Sequence, residues 1–322
     1  MTRKLIAITQ TPKVMQLTWI INNICTNACS YCPEGLHNGK NHHYDWENAK
    51  RFVYELIGRH EKIHLSIAGG EPTLSPHLPE LIKIFYNAGH TISITTNGVR
   101  TPRYYEDIAQ YVNGMCFSFH PSFEDPAFKE KVFATIKHTH TSVRVMMDNR
   151  YWEKCVETYH AFDSKTTGVG VEAVQLQDWG VGNSLGRNYT PEQNQWILDH
   201  PQKNSGFMYW LLNPRLIQKK GVAMSARYYW DDNTNEYNVP EIDIINTGLN
   251  NFYGWQCDIG LESLFVHWDG DIQRANCKQG TPTRIIGNIN YPEQIEWPTE
   301  PEICVQKDCH CSTDIIISKR KL

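Results

Sequence analysis

Two hydrophobic periods alternate along the first two thirds of the chain. Met15 to Ile21 is an apolar and β-branched run, which predicts a strand. Trp46, Ala49, Phe52, Val53, Leu56 and Ile57 then recur three and four residues apart, which predicts an amphipathic helix over 45–59. The alternation repeats. Strands are predicted at Ile63–Ala68, Thr91–Thr96, Met115–Phe119, Val143–Met147 and Val171–Leu176. Between them fall helices that open at Ser75-Pro76 and close at Gly89, then run over 102–112, 125–138 and 149–162. Ser75 reads as the N-cap of the first of these, with Pro76 at the first helical position. Thr190-Pro191-Glu192-Gln193 reads as a capping box that opens one more helix.

These make six β/α units. Strands separated by helices of this length predict a parallel sheet. Six units in some 190 residues fit a partial (β/α)6 barrel better than a closed eight-unit barrel, which needs about 250 residues. Functional groups in such barrels sit at the C-terminal ends of the strands. After about residue 204 the pattern changes to short β-branched and aromatic runs, at Val222–Trp230, Ile242–Ile245 and Leu264–Trp268. Asp269-Gly270 follows the last as a hairpin turn. The expected architecture is therefore α/β: a partial barrel over 1–204, then a small, mostly β, cysteine-rich domain over 205–322.

Composition narrows the function classes. At 322 residues with 40% apolar and 20% charged positions, the chain can bury a full core. A net charge of −4 speaks against a strongly basic nucleic-acid binder and leaves room for a local basic patch. No apolar run approaches the roughly 20 residues of a membrane span, and the first residues show no apolar leader, so a cytoplasmic location is expected. The ten cysteines change the picture most. Eight of them fall in two groups, at 25, 29, 32 and at 257, 277, 304, 309, 311. Clustered thiols in a reducing compartment point to metal rather than disulfides.

The first group, Cys25-Thr26-Asn27-Ala28-Cys29-Ser30-Tyr31-Cys32, has the spacing C-x3-C-x2-C and follows the first strand directly. Structural zinc wants four ligands, and His37, His42 or His43 could add a fourth. Three thiolates also suit a [4Fe–4S] cluster with one iron left open. With Tyr31 before the third cysteine and Gly69-Gly70-Glu71-Pro72 after the second strand, the chain resembles the radical S-adenosylmethionine (SAM) superfamily. The resemblance implies that Cys25, Cys29 and Cys32 hold the cluster and that Tyr31, Gly69, Gly70, Glu71 and Pro72 lie at bound SAM, with Glu71 near its ammonium. Thr95-Thr96-Asn97-Gly98 and Phe117-Ser118-Phe119-His120, at the next two strand ends, resemble segments that hold the ribose and carboxylate. Thr96, Asn97 and Ser118 are the expected polar contacts. His120 stands where many relatives have an acidic residue, and with Asp148 and Gln175 it is a candidate to face substrate.

The second group resembles the SPASM or twitch domain of the same superfamily, in which a hairpin and a later segment hold an auxiliary Fe–S cluster. Six residues separate Gly270 from Cys277 where the family usually has four. Five cysteines are too few for two clusters and one too many for a single all-cysteine cluster, so the twitch form is implied. Cys257 and Cys277 are joined by two of Cys304, Cys309 and Cys311, and His310 reads as a bystander.

The resemblance implies reductive cleavage of SAM to a 5′-deoxyadenosyl radical that takes hydrogen from a peptide or small molecule, in a net oxidation or cross-link. It also implies a one-electron donor such as flavodoxin or ferredoxin. A zinc-stabilised binding or scaffold protein without catalysis is the alternative. The aromatics Phe207, Tyr209, Trp210, Tyr228, Tyr229, Trp230, Tyr237, Phe252, Tyr253 and Trp255 form either a substrate surface or the core of the second domain.

Overall fold

The computed structural model describes residues 3–39, 44–123, 125–162, 167–176, 187–200, 225–239, 241–277, 285–309 and 311–322. Strands β1 (Leu5–Thr11) to β7 (Gly170–Gln175) fill the first half, with β2 Met15–Ile20, β3 Ile63–Ala68, β4 Thr91–Thr96, β5 Gly114–Phe119 and β6 His140–Met147. From β2 to β7 neighbours in sequence are neighbours in the sheet, and every pair is parallel. Helices α1 (Trp46–Arg59), α2 (Leu78–Asn87), α3 (Pro102–Ala109), α4 (Phe128–Thr135) and α5 (Trp152–Ala161) connect them. All six of these strands therefore end at the same edge.

Local signals explain most of these elements. Asp45 caps α1 by accepting from Asn48 N at 2.9 Å, and Thr101 caps α3 ahead of Pro102. The α1 face of Ala49, Phe52, Val53 and Leu56 is buried against one face of the sheet, with Leu17, Trp19, Leu65, Ile67, Ile94 and Phe117 in the same core. The alternate strand positions carry the opposite face. Many of them are polar, among them Thr18, Ser66, Ser93, Ser118, Arg144 and Glu172. A parallel sheet covered on both faces would be apolar at these positions too. The alternation marks one packed face and one polar, concave face.

Several boundaries differ from expectation. The helix expected from Ser75 begins at Leu78, because a 3-10 turn at Pro72–Leu74 takes up the preceding residues, and Ser75 is the C-cap of that turn. α4 and α5 are shorter than predicted, and Asn149–Tyr151 forms a separate 3-10 turn. Ile242–Ile245 is not a strand but lies in a helix, Glu241–Asn246, that ends at Gly248 with φ +70. A four-residue apolar run fits either period, and packing of Ile244 into the core selects the helix.

The remaining strands are β8 (Ser225–Trp230), β9 (Asn235–Tyr237), β10 (Gln256–Cys257), β11 (Ser263–Val266), β12 (Asp271–Gln273), β13 (Ile285–Asn288), β14 (Glu302–Ile303) and β15 (Lys319–Arg320). They do not form one sheet of their own. β11 and β12 make the expected hairpin over Asp269-Gly270, and Gly270 has φ +91. That hairpin joins the barrel: β11 pairs in parallel with β2, and the nine-strand order is β13-β12-β11-β2-β3-β4-β5-β6-β7. The second sheet runs β14-β10-β15-β1-β8-β9, so the N-terminal strand β1 lies between strands from the last third of the chain. Among the described residues, no helix is long and apolar enough to cross a membrane.

Candidate functional site

The loop after β2 carries Cys25, Cys29 and Cys32, at the strand edge where function was expected. Cys29 is buried, and the other two thiols are half-buried. Burial pushes the Cys29 thiol up to about 12 and Cys32 to about 11. Polar groups are nonetheless aimed at the sulfurs. Asn27 N donates to Cys25 Sγ at 3.4 Å and Asn97 Nδ2 donates to it at 3.5 Å, while His120 Nδ1 stands 3.4 Å from Cys29 Sγ. Such donors stabilise a metal-bound thiolate.

Two glycines lock this loop to the next. A Cβ on Gly70 would lie 2.4 Å from Ile24 O and 2.5 Å from Leu36 O, and one on Gly69 would lie 2.8 Å from Asn22 O. Gly70 N and Glu71 N donate to Asn22 O and Ile24 O. The close approach these glycines permit is therefore between two stretches of the chain's own backbone.

Glu71 is fully buried and its carboxylate is surrounded by donors from the chain. Oε1 accepts from Thr73 N at 3.0 Å, Thr73 Oγ1 at 2.6 Å and Thr96 Oγ1 at 2.8 Å, and Oε2 accepts from Asn97 N at 2.6 Å. Burial pushes the carboxyl up, and these hydrogen bonds act against that shift. Thr96, expected to reach a ligand, is buried, with its hydroxyl between Glu71 and the Tyr105 OH at 3.0 Å. Pro72, likewise buried, opens the 3-10 turn.

Asn97, Ser118 and His120 do share a cleft. They line a cavity of about 330 Å³ with Thr26, Asn27 and Lys131. That size suits a small ligand. Tyr31 OH lies 2.8 Å from His120 Nδ1 and the two rings are parallel, while burial drives His120 down to about 4 and so keeps it neutral. Asp148 does not face outward. It is fully buried and accepts from Arg150 N at 3.1 Å and Arg150 Nε at 2.8 Å, and Arg150 in turn donates to Ser30 Oγ in the cysteine loop at 2.9 Å. Gln175 lies at the surface, donating to Asn194 Oδ1 at 3.3 Å. His42, His43 and His310 lie outside the described residues.

Three charged residues were missed by sequence reasoning. Lys131 is buried beside the cleft, with Nζ 2.7 Å from both Gly98 O and Asp125 Oδ2. Arg144, register partner of Ser118, is ion-paired to the fully buried Glu172 on the polar face of the sheet. The available signal was a charge on the inward period of β6 and β7.

In the C-terminal region Cys257, Cys277, Cys304 and Cys309 line one enclosed pocket, together with Phe252, Asp314 and Lys319. Cys311 is not among its lining residues; it occupies the N-cap of helix Ser312–Ile315 and accepts from Asn276 Nδ2 at 3.2 Å. Burial raises the Cys257 thiol to about 11 and Cys309 higher still. Among the described residues no three His, Cys, Asp or Glu side chains form a ready-made metal cage. Of the aromatics 205–256, Phe207, Tyr209 and Trp210 lie outside the described residues, and Tyr228, Trp230, Phe252 and Trp255 are buried in a core cluster. Tyr237 and Tyr253 are exposed.

Residues 19–174 match the model of the radical SAM superfamily. The S-adenosyl-L-methionine-dependent tRNA 4-demethylwyosine synthase of Methanocaldococcus jannaschii is 48% identical over 52 residues, which span 16% of this chain and 16% of that protein. The fold is similar to that of native anSMEcpe with bound AdoMet and Kp18Cys peptide, at 14% identity and TM-score 0.52 over 87% of this chain and 78% of that one. It is also similar to Streptococcus suis SuiB bound to precursor peptide SuiA, at 11% identity and TM-score 0.50 over 84% of this chain and 62% of that one.

Proposed function

We propose that the chain, which carries a radical SAM domain over residues 19–174, is a SAM-cleaving enzyme whose reactive site is the loop after β2 and the adjoining cleft. The observation that carries this reading is the pairing of three thiols on one loop with a cleft built from the ends of β4 and β5. The residues fit a [4Fe–4S] cluster, since Cys25, Cys29 and Cys32 offer three thiolates and leave one iron for SAM. A [4Fe–4S] cluster held by Cys25, Cys29 and Cys32 would supply the one-electron reduction of SAM and with it the radical chemistry of hydrogen abstraction.

The chain's own part is to bind and orient. Asn27 and Asn97 donate to Cys25 Sγ, and the Tyr31 hydroxyl does the same for Cys29. The Glu71 carboxylate holds Asn97 at the cleft wall. Ser118 and Arg144 offer a hydroxyl and a guanidinium to a carboxylate, and Glu172 fixes the direction of the guanidinium. The aromatic walls of Phe119, Phe123 and the buried Phe128 limit the access of water.

A second Fe–S cluster on Cys257, Cys277, Cys304 and Cys309, with Cys311 as the spare thiol, is part of the same reading. The substrate is proposed to be a peptide or a small molecule, in a net oxidation or cross-link. Two fold relatives have peptides in their names, which supports a peptide. The net charge of −4 does not favour a tRNA. A cytoplasmic site and a flavodoxin- or ferredoxin-type donor are part of the same proposal.

Iron and sulfide after anaerobic reconstitution test this reading. Roughly eight irons per chain are expected, falling to roughly four in the Cys25/Cys29/Cys32 triple alanine variant. The wild type should release 5′-deoxyadenosine from SAM on reduction and the variant should not. Zinc with little iron in both would overturn the reading in favour of a structural metal site.

A further inference from the structure

Lys319 lies where a lysine is costly. Only 4% of it is exposed. Its Nζ donates to Asp314 O at 2.8 Å and Ile315 O at 2.7 Å, and sits 4.7 Å from the centroid of the Phe252 ring. Both acceptors are backbone carbonyls, not carboxylates. A buried ammonium held by carbonyl dipoles and a ring face remains a source of positive potential.

That potential is directed at the second cysteine group. Lys319 and Cys257 are register partners in the antiparallel pair of β10 and β15, so their side chains leave the same face about 5 Å apart. Lys319 lines the same pocket as Cys257, Cys277, Cys304 and Cys309. Asp314, of opposite charge, lines the same pocket.

We propose that Lys319 is an electrostatic tuning residue for the iron–sulfur group held by these four cysteines, a fixed buried cation that favours its reduced form. The proposal rests on the second-cluster reading above. A cluster bound by four thiolates is anionic, and one-electron reduction adds a further negative charge. A cation at fixed distance stabilises the reduced state more than the oxidised one, so it raises the reduction potential. A lysine that only joined strand to helix would leave the potential unmoved.

The test is an EPR-monitored dithionite titration of the anaerobically reconstituted full chain, in the Cys25/Cys29/Cys32 triple alanine background so that one signal remains. Lys319→Gln keeps amide donors for the two carbonyls and removes the charge. It should make reduction at least about tenfold harder, a fall of about 59 mV for one electron. Lys319→Arg should stay within that margin of the parent. Asp314→Asn, which removes a negative charge from the same pocket, should move the potential upward. An unchanged potential in an iron-loaded Lys319→Gln overturns the proposal while leaving the second cluster in place. If Lys319→Gln holds no iron, Asp314→Asn decides, and an unchanged or lowered potential there overturns it. A parent that holds no iron overturns the second-cluster reading and the proposal with it.

Discussion

Glu71→Gln separates a residue that binds ligand from one that shapes the site. In the folded chain Oε1 accepts three hydrogen bonds and Oε2 accepts one, from Asn97 N. A carboxamide has a single acceptor oxygen. If it takes the place of Oε1, its NH2 faces the Asn97 N–H, donor against donor, where 2.6 Å now separates donor from acceptor. A hydrogen bond to a charged acceptor contributes about 1.5–3 kcal/mol, and an orphaned buried donor costs a similar amount. The substitution should therefore destabilise the chain by about 2–4 kcal/mol, a large share of the typical 5–15 kcal/mol of a domain. Asn97 is expected to shift, and with it the donor to Cys25 Sγ and one wall of the cleft. Guanidinium unfolding under anaerobic conditions reads the stability, iron per chain reads the cluster loop, and calorimetry reads SAM affinity. All three should fall together. A variant with wild-type midpoint and iron content but tenfold weaker SAM binding would refute the reasoning, because the carboxylate would then act on the ligand and not on the loop.

Three other outcomes follow from the geometry. Gly70→Ala sets a Cβ against two backbone oxygens, Ile24 O and Leu36 O, and should cost about 2–4 kcal/mol with loss of iron from the first site; a variant melting like wild type would show that the two loops can part freely. Arg144→Met leaves the fully buried Glu172 without its cation and should cost about 3–5 kcal/mol, more than Glu172→Gln, because the Arg144 side chain is 36% exposed; the reverse order in urea midpoints would sink the assignment. His64 and His90 are neutral when folded, with burial taking them down to about 3 and about 4 from 6.5. The unfolded chain protonates first, so stability should fall as pH drops below about 6.5, by about 1.4 kcal/mol per unit for each group. A melting temperature that stays flat between pH 7 and 5 would contradict this, and His64→Gln should reduce the slope.

Much of the barrel was legible from the sequence because its signals are local. The period of side chains along a helix or strand is set by backbone geometry within a few residues, so Ile63–Ala68 and Thr91–Thr96 emerge with the predicted bounds. The C-x3-C-x2-C loop and the Asp269-Gly270 turn are equally local. Ile242–Ile245 was misread because four apolar residues are too few to choose a period.

What the tertiary structure alone decided involves partners far apart in the chain. No pattern in Ser263–Val266 says that it will pair with Met15–Ile20, and nothing in Leu5–Thr11 says that it will lie between Ser225–Trp230 and Lys319–Arg320. Strand pairing satisfies whichever edge the rest of the fold leaves open. The same holds for the sites. Glu71 is a carboxylate in a motif until Thr73, Thr96 and Asn97 close around it. Five cysteines are equivalent candidates until packing gathers Cys257, Cys277, Cys304 and Cys309 around Lys319 and turns Cys311 to Asn276. Local sequence specifies which chemistry is available, and burial and distance, which are properties of the whole fold, specify which groups meet.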